Sequence, residues 1–376
     1  MSQIARRSAK RKTAWALASL AGLAVIGWAG VHVVAGRSGP RMINVGSSQD
    51  AAGSVAVSPG GKTLFAANGD CCSPADAVTE LDLTTGRAGR RIVVGEPVLK
   101  LTVTPDGKTL FVLTVNGTTN ATRLTPVNIA TGRAAKPLRL RRPVDMVASP
   151  DSALLYVLDD TGGKSLAVVP VSLASHHAGR PIPVPAGSQA LAISPDGGTL
   201  YVGAGNPHHR RADEVIAIDA RSGKARAHVP MPGNVWDLDV SPGGSRLYVL
   251  ASDSNCDAEC TWGPCELVTI STAKATAAKP LALGPKCLQL ATAPNGTFAY
   301  VLNADQTITP VETGDGFTGP PIRTGHGGAD FALAPDGSTI YVAEGGQGVA
   351  VIPVPRCQAT TRFAGCPDWP PPGPSA

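Results

Sequence analysis

The stretch "SPDGGTLYVG" at residues 194–203 combines a tight turn with a strand, and near-copies of it recur along the whole chain. Proline has its φ preset for the second position of a type I turn, Asp or Asn suits the third position, and glycine closes the turn. The Leu-Tyr-Val that follows is typical of a β-strand. The seven copies have their prolines at Pro59, Pro105, Pro150, Pro195, Pro242, Pro294 and Pro335.

The spacing of these prolines predicts the architecture. Successive prolines are 46, 45, 45, 47, 52 and 41 residues apart. A period of this length, with about four short strands in each unit, is typical of a β-propeller. We therefore predict an all-β, seven-bladed β-propeller with four-stranded blades over residues 37–356, preceded by one N-terminal transmembrane or signal helix and followed by a Cys- and Pro-rich tail at 357–376.

An aromatic residue stands six positions after each of the seven prolines, and all five tyrosines of the chain occur at this position. Because side chains alternate along a strand, each aromatic points to the same face of its blade. We expect these rings to fill the space between neighbouring blades rather than to form a cofactor site. The seven residues are Phe65, Phe111, Tyr156, Tyr201, Tyr248, Tyr300 and Tyr341.

Closure of the ring needs a fourth strand for the seventh unit, which shows only three strands up to "GVAVIPV" at 348–354. The segment "RMINVG" at 41–46 resembles "RRIVVG" at 90–95, the outer strand of the first unit. We predict that residues 41–46 complete blade 7, which leaves the ring without an open edge.

The N-terminal region carries the entire net charge of +5. Residues 1–12 contain five basic residues and no acid, whereas residues 13–36 contain no charged residue. As a helix, 24 residues reach about 36 Å, enough to cross a bilayer. We predict a cytoplasmic segment at 1–12 and a transmembrane signal anchor at 13–36, with the propeller outside the cytoplasm. A cleaved signal peptide, which would make the protein secreted, is the alternative.

Beyond residue 36 the chain is neutral, since 28 basic residues balance 28 acidic residues. This balance argues against general electrostatic binding of nucleic acid, and we expect no nucleic-acid partner.

The eight cysteines fit an exported chain, where an even number indicates disulfides. They are Cys71, Cys72, Cys256, Cys260, Cys265, Cys287, Cys357 and Cys366. We expect two disulfides among the four from Cys256 to Cys287, and a pair between Cys357 and Cys366. A zinc site at Cys256, Cys260 and Cys265 is a competing interpretation, although its spacing differs from that of common zinc motifs.

A second position of the repeat predicts a site. Five residues before each proline, where the inner strand begins beside the central channel, stand Ser54, Lys100, Asp145, Ala190, Asp237, Gln289 and Asp330. We expect the three carboxylates and Lys100 to converge at the channel mouth, with His326 close to Asp330. These residues could form a hydrated channel lining, hold a hard cation such as Ca²⁺, or act as acid and base in hydrolysis. We assign no cofactor or catalytic residue from this pattern.

The irregular loops between the second and third strands should lie on the same face as the channel mouth. The longest, "ASDSNCDAECTWGPCE" at 251–266, contains three cysteines and Trp262. Variable loops on a rigid scaffold commonly carry recognition. This face is therefore predicted to bind a protein or small-molecule ligand, with Trp262 as an anchor.

The repeats resemble the YVTN-type β-propeller family, most clearly in "TPDGKTLFVL" (104–113) with "VNIATGR" (127–133), and in "SPDGGTLYVG" with "VIAIDARSGK" (215–224). The resemblance covers residues 41–354 and weakens in the last three units. It implies a seven-bladed, usually extracytoplasmic propeller that acts in binding or at the cell surface. Lactonase-like propellers share the architecture, so hydrolysis stays an alternative function, and a purely structural envelope protein is a third.

Overall fold

Seven antiparallel sheets make up the computed structural model, which describes residues 40–45, 52–68, 77–160, 166–205, 213–252, 263–284, 286–325, 328–344 and 348–355. The chain from residue 39 onward forms one compact unit. The predicted cytoplasmic segment, the N-terminal helix and the C-terminal tail lie outside the described residues. Within the described ranges, no helix has the length and apolarity needed to cross a membrane.

The first three blades each contain four consecutive strands. Blade 1 contains Ala52–Val57 (β2), Thr63–Asn68 (β3), Ala77–Asp82 (β4) and Arg87–Val93 (β5). Blade 2 contains Val98–Val103 (β6), Thr109–Val115 (β7), Thr122–Asn128 (β8) and Arg133–Ala134 (β9). Blade 3 contains Pro143–Ala148 (β10), Leu154–Asp160 (β11), Leu166–Ser172 (β12) and Ile182–Val184 (β13).

The next three blades follow the same order. Blade 4 contains Ser188–Ile193 (β14), Thr199–Ala204 (β15), Glu214–Asp219 (β16) and Ala225–Pro230 (β17). Blade 5 contains Asn234–Val240 (β18), Arg246–Ser252 (β19), Cys265–Ser271 (β20) and an outer strand in two pieces, Thr276–Ala277 (β21) and Leu281–Gly284 (β22). Blade 6 contains Cys287–Thr292 (β23), Phe298–Asn303 (β24), Thr307–Glu312 (β25) and Ile322–Arg323 (β26).

Blade 7 is built from both ends of the propeller sequence. Its inner three strands are Gly328–Leu333 (β27), Thr339–Glu344 (β28) and Gly348–Pro353 (β29), and its outer strand is Arg41–Ile43 (β1). Arg41 pairs with Val351, and Ile43 pairs with Val349. The predicted ring closure is confirmed, and with it the seven-bladed propeller of four-stranded blades.

The aromatic of each repeat fills a junction between blades, as the sequence predicts. Phe65 of blade 1 packs in one buried cluster with Leu101 and Leu110 of blade 2. Tyr300 of blade 6 packs with Phe331 and Ile340 of blade 7. All seven aromatics are less than a tenth exposed, so burial of these rings drives the blades together.

The repeated turns form a second set of contacts at the opposite end of the propeller from the loops. In the opening stretch, the amide of Gly197 donates to the carbonyl of Ser194, and Gly197 has a φ of 71°. A side chain there would lie 3.6 Å from the ring of Pro150 in the preceding blade. Glycine in the same position packs against the preceding proline at five further junctions, so the motif joins blades as well as strands.

Candidate functional site

The inner strand of every blade contains a β-bulge at its start, and the bulge shapes the channel mouth. In blade 2 the register shifts between Val98 and Lys100, which leaves Leu99 as the extra residue. The same shift occurs in the other six blades. The seven bulge residues, here called the bulge ring, are Gly53, Leu99, Val144, Gln189, Trp236, Leu288 and Ala329. A bulge re-aims a side chain, and all seven line the cavity at the mouth.

The bulge ring surrounds a central cavity of about 560 Å³. Its apolar members are partly open to solvent, since Leu99 is 50% and Val144 is 38% exposed. The ring was not predicted from the sequence. When the seven repeats are aligned on their prolines, the residue six positions before the proline differs in type from blade to blade. The residue four positions before the proline is apolar in every blade. This contrast is the one feature of the sequence that could have indicated the ring.

Next to the bulge ring lie the residues that the sequence singled out, and five of them line the cavity: Lys100, Asp145, Asp237, Gln289 and Asp330. Ser54 and Ala190 occupy the same position in their blades, but both are buried and neither lines the cavity. Lys100 and Asp145 form an ion pair, with 2.5 Å between Nζ and Oδ1. Lys100 also interacts electrostatically with Asp237 and Asp330, so the predicted convergence of these charges is what the structure shows.

These side chains have a structural role that the sequence did not reveal, because each one connects its blade to the next. Asp145 Oδ2 accepts a hydrogen bond from the amide of Leu191, 2.9 Å away in blade 4. Asp237 Oδ2 likewise accepts from the amide of Leu290 in blade 6 at 2.7 Å.

The ring closes in the same way. Asp330 Oδ2 accepts from Ser54 Oγ at 2.6 Å and from the amide of Val55 at 3.0 Å, which links blade 7 to blade 1. Gln289 Oε1 accepts from the amide of Phe331 at 2.8 Å and links blade 6 to blade 7. At this position of the repeat, the polar side chains therefore form most of their hydrogen bonds with the neighbouring blade.

The remaining junctions use other chemistry. The amide of Leu101 donates to Ser54 Oγ at 3.2 Å, linking blade 1 to blade 2. Blades 2 and 3 are joined by the Lys100–Asp145 ion pair. Ala190 has no polar side chain, and in its place Gln189 Nε2 donates to the carbonyl of Val235 at 2.8 Å. All seven junctions therefore have a polar joint at the mouth.

The protonation behaviour of the mouth follows from burial and charge. Burial raises the pKa of Asp237 to about 7, against the opposing effect of Lys100. Burial also raises the pKa of Asp239, deeper in the channel, to about 6, and it raises the pKa of Asp330. Burial acts to lower the pKa of Lys100, but the carboxylates of Asp145, Asp237 and Asp330 outweigh it and raise that pKa. Lys100 therefore stays charged, whereas Asp237 titrates near neutral pH.

Metal binding has no preformed site in the described ranges, where no group of three His, Cys, Asp or Glu side chains is placed to hold an ion. Lys100 holds one carboxylate directly, and backbone amides hold the others. His326 and Trp262, predicted near the mouth, lie outside the described residues.

One disulfide joins Cys265 and Cys287. It connects the first residue of β20 in blade 5 to the first residue of β23 in blade 6, with 5.9 Å between Cα atoms. One of the two disulfides expected among Cys256, Cys260, Cys265 and Cys287 is thereby confirmed. Cys265 is therefore not available as a ligand for the zinc site that was considered as the competing interpretation. Cys71, Cys72, Cys256, Cys260, Cys357 and Cys366 lie outside the described residues.

Comparison with known proteins supports the fold. A solved structure of hydrazine synthase from Kuenenia stuttgartiensis matches with a TM-score of 0.68 and 20% sequence identity, covering 86% of this chain and 99% of that one. At this identity the match bears on the fold alone. No family model matches the chain, and no curated protein matches it.

Proposed function

We propose that this chain is a membrane-anchored, extracytoplasmic β-propeller of the YVTN type that binds a protein or small-molecule ligand at its channel mouth. The bulge ring carries this proposal. It presents exposed apolar side chains beside the charged groups of Lys100 and the carboxylates, around a cavity of about 560 Å³ on the face where the irregular loops begin. Concave sites in which apolar side chains stand beside placed polar groups are typical of ligand binding.

The carboxylates favour binding over catalysis. Asp237 accepts amide hydrogen bonds on both oxygens, from Leu238 at 2.9 Å and from Leu290 at 2.7 Å. Asp145 uses one oxygen for Lys100 and the other for Leu191. If a carboxylate held in this way moved toward a substrate, it would break a hydrogen bond or ion pair that connects two blades.

The binding proposal is tested by changing the mouth without changing its polar joints. In a capture experiment from membranes, with the immobilised chain as bait, Leu99→Asp should lose bound partners that the wild type retains. Val93→Asp is the matched control, because Val93 is 73% exposed on the outer strand of blade 1. Equal capture by wild type and both variants would refute binding at the mouth.

Hydrolysis is the second candidate, and one observation favours it. With a pKa of about 7, Asp237 is suited to give and take a proton at neutral pH. A panel of lactones and phosphoesters, assayed with and without Ca²⁺, should then show turnover that Asp237→Asn abolishes. Turnover that persists in this variant would exclude Asp237 as the acid or base.

The proposed location rests on the uncharged stretch at 13–36, the basic residues before it and the disulfide. Disulfides persist in oxidising compartments. Extraction of membranes with alkaline carbonate should leave an anchored protein in the pellet, whereas a cleaved, secreted form would appear in the medium with a shortened N-terminus.

A further inference from the structure

A second cavity of about 500 Å³ lies at the outer edges of blades 2 and 3, and it shares no lining residue with the channel mouth. Its floor contains Leu138 and Val171, which are buried in the core between these blades. Its walls include Lys136, Arg139, His176 and His177. We call this cavity the rim cleft.

Two cations, Lys136 and Arg139, line the rim cleft, and the two segments that form it contain no acidic residue. The stretch 129–143 contains five basic residues and no Asp or Glu, and 173–187 adds Arg180 and also contains no acid. Of the five, Arg142 lies 3.7 Å from Asp160. Lys136 and Arg139 are exposed, and within the described parts of the chain neither one lies within ion-pair distance of a carboxylate.

The two histidines are placed by a left-handed turn. His176 has a φ of 58°, a left-handed conformation that costs about 1–2 kcal/mol for a residue with a side chain. Glycine occupies this position in blades 1, 2, 4 and 6, and Ala275 occupies it in blade 5 with a φ of 50°. The turn is fixed by hydrogen bonds from the His176 amide to the Ser172 carbonyl at 2.8 Å and from the Ser172 amide to the His177 carbonyl at 3.0 Å.

We propose that the rim cleft binds an anionic ligand that carries phosphate groups. A phosphate group offers several acceptor oxygens, and the guanidinium of Arg139, the ammonium of Lys136 and the two imidazoles offer matching N–H donors. The volume falls in the range of small-ligand sites, which fits a ligand with two or more phosphate groups. This inference does not depend on the function proposed for the channel mouth.

The test is calorimetric titration of the full-length chain in neutral detergent at low salt with inorganic triphosphate. Triphosphate should bind, and Lys136→Glu/Arg139→Glu should weaken binding at least tenfold. Arg221→Glu/Lys224→Glu on the rim of blade 4 makes the same charge change at exposed positions and should alter affinity less than twofold. His176→Gly/His177→Ala should weaken binding severalfold while the chain stays folded, because glycine is the residue that other blades use at this turn.

A second titrant separates the possible sources of the phosphate. Glycerophosphoglycerol carries the phosphodiester headgroup of an anionic lipid without its acyl chains. Binding of both probes assigns the cleft to phosphate groups in general, and binding of triphosphate alone assigns it to soluble polyphosphorylated ligands. Binding of glycerophosphoglycerol alone would overturn the assignment to a ligand with two or more phosphate groups. Failure of both to bind, or equal weakening in the blade 4 control, would overturn the proposal.

Discussion

The two ends of the propeller join neighbouring blades by different means. At the turn end, six junctions use the same pair, a proline of one turn against a left-handed glycine of the next. At the channel mouth, the seven junctions use aspartate, glutamine, serine and a Lys–Asp ion pair. A joint that depends on backbone shape allows little choice of residue, because only glycine adopts that conformation without strain. A contact that needs only a hydrogen-bonding side chain can be made by several residue types. The residues that line the channel therefore differ from blade to blade.

The disulfide is expected to be the strongest joint at the mouth. It closes a span of 22 residues between blades 5 and 6. Cross-linking a span of this length stabilises a protein by about 3 kcal/mol. We expect Cys265→Ala/Cys287→Ala to lower the free energy of unfolding by about that amount in urea denaturation. Reduction of the wild type also breaks every other disulfide, so it should lower the free energy of unfolding by at least as much. An unchanged unfolding midpoint in both cases would contradict this prediction.

The Asp330 joint ranks next, because it closes the ring. Asp330→Ala leaves Ser54 Oγ and the amide of Val55 without their acceptor. Loss of a buried acceptor costs about 1–3 kcal/mol for each group left unsatisfied, and the lower end of that range for the two groups gives an expected loss of about 2 kcal/mol. Asp330→Asn keeps one acceptor oxygen and should lose less than half as much. If the two variants were equally stable, the hydrogen bonds of Asp330 would not be what stabilises the contact between blades 7 and 1.

Asp237 makes stability depend on pH. Its pKa is about 7 in the folded protein and 3.8 in a model peptide, so between these values the folded state binds more protons than the unfolded state. Stability is therefore greatest below pH 4 for this group and is lost as the pH rises through 7. From pH 6 to pH 7 the wild type should lose about 1 kcal/mol more than Asp237→Asn in urea titrations. Parallel pH profiles would argue against an ionisable Asp237.

The turn end can be tested within a single turn. Gly244 has a φ of 71°, and an added Cβ would lie 3.4 Å from Pro195 of the neighbouring blade. Adjacent Gly243 has no atom within 4 Å of such a Cβ and no positive φ. We expect Gly244→Ala to reduce stability by about 1 kcal/mol, and Gly243→Ala to change it by less than half of that. Thermal unfolding of both variants measures the contrast, and equal melting temperatures would contradict it.

The sequence predicted the parts of this fold that repeat. The prolines and aromatics set the blade count, and the similarity of 41–46 to 90–95 identified the strand that closes the ring. It also placed Lys100 and Asp237 beside the channel. It could not show that Asp237 accepts a hydrogen bond from Leu290, because the donor is a backbone amide. Every residue except proline has such an amide, so the residue type does not indicate the contact.

Other features of the sites also needed the structure. The bulge that turns Leu99 into the mouth has no glycine or other marker in blade 2. The cysteine pattern allowed several pairings, of which Cys265–Cys287 is one. The rim cleft exists only because the fold brings Lys136 of blade 2 beside His176 of blade 3, 40 residues further along the chain.

The closing strand also imposes an order on how the protein is made. Arg41 is synthesised some 300 residues before its partner Val351. During that interval, β1 has no sheet to join, and the apolar faces of blades 1 and 6 that contact blade 7 in the closed ring have no partner. An unpaired strand and an uncovered apolar face both favour association with other chains. A chain truncated before blade 7 would therefore have two defects. It would lack its last blade, and its first strand would remain unpaired and able to pair with other chains.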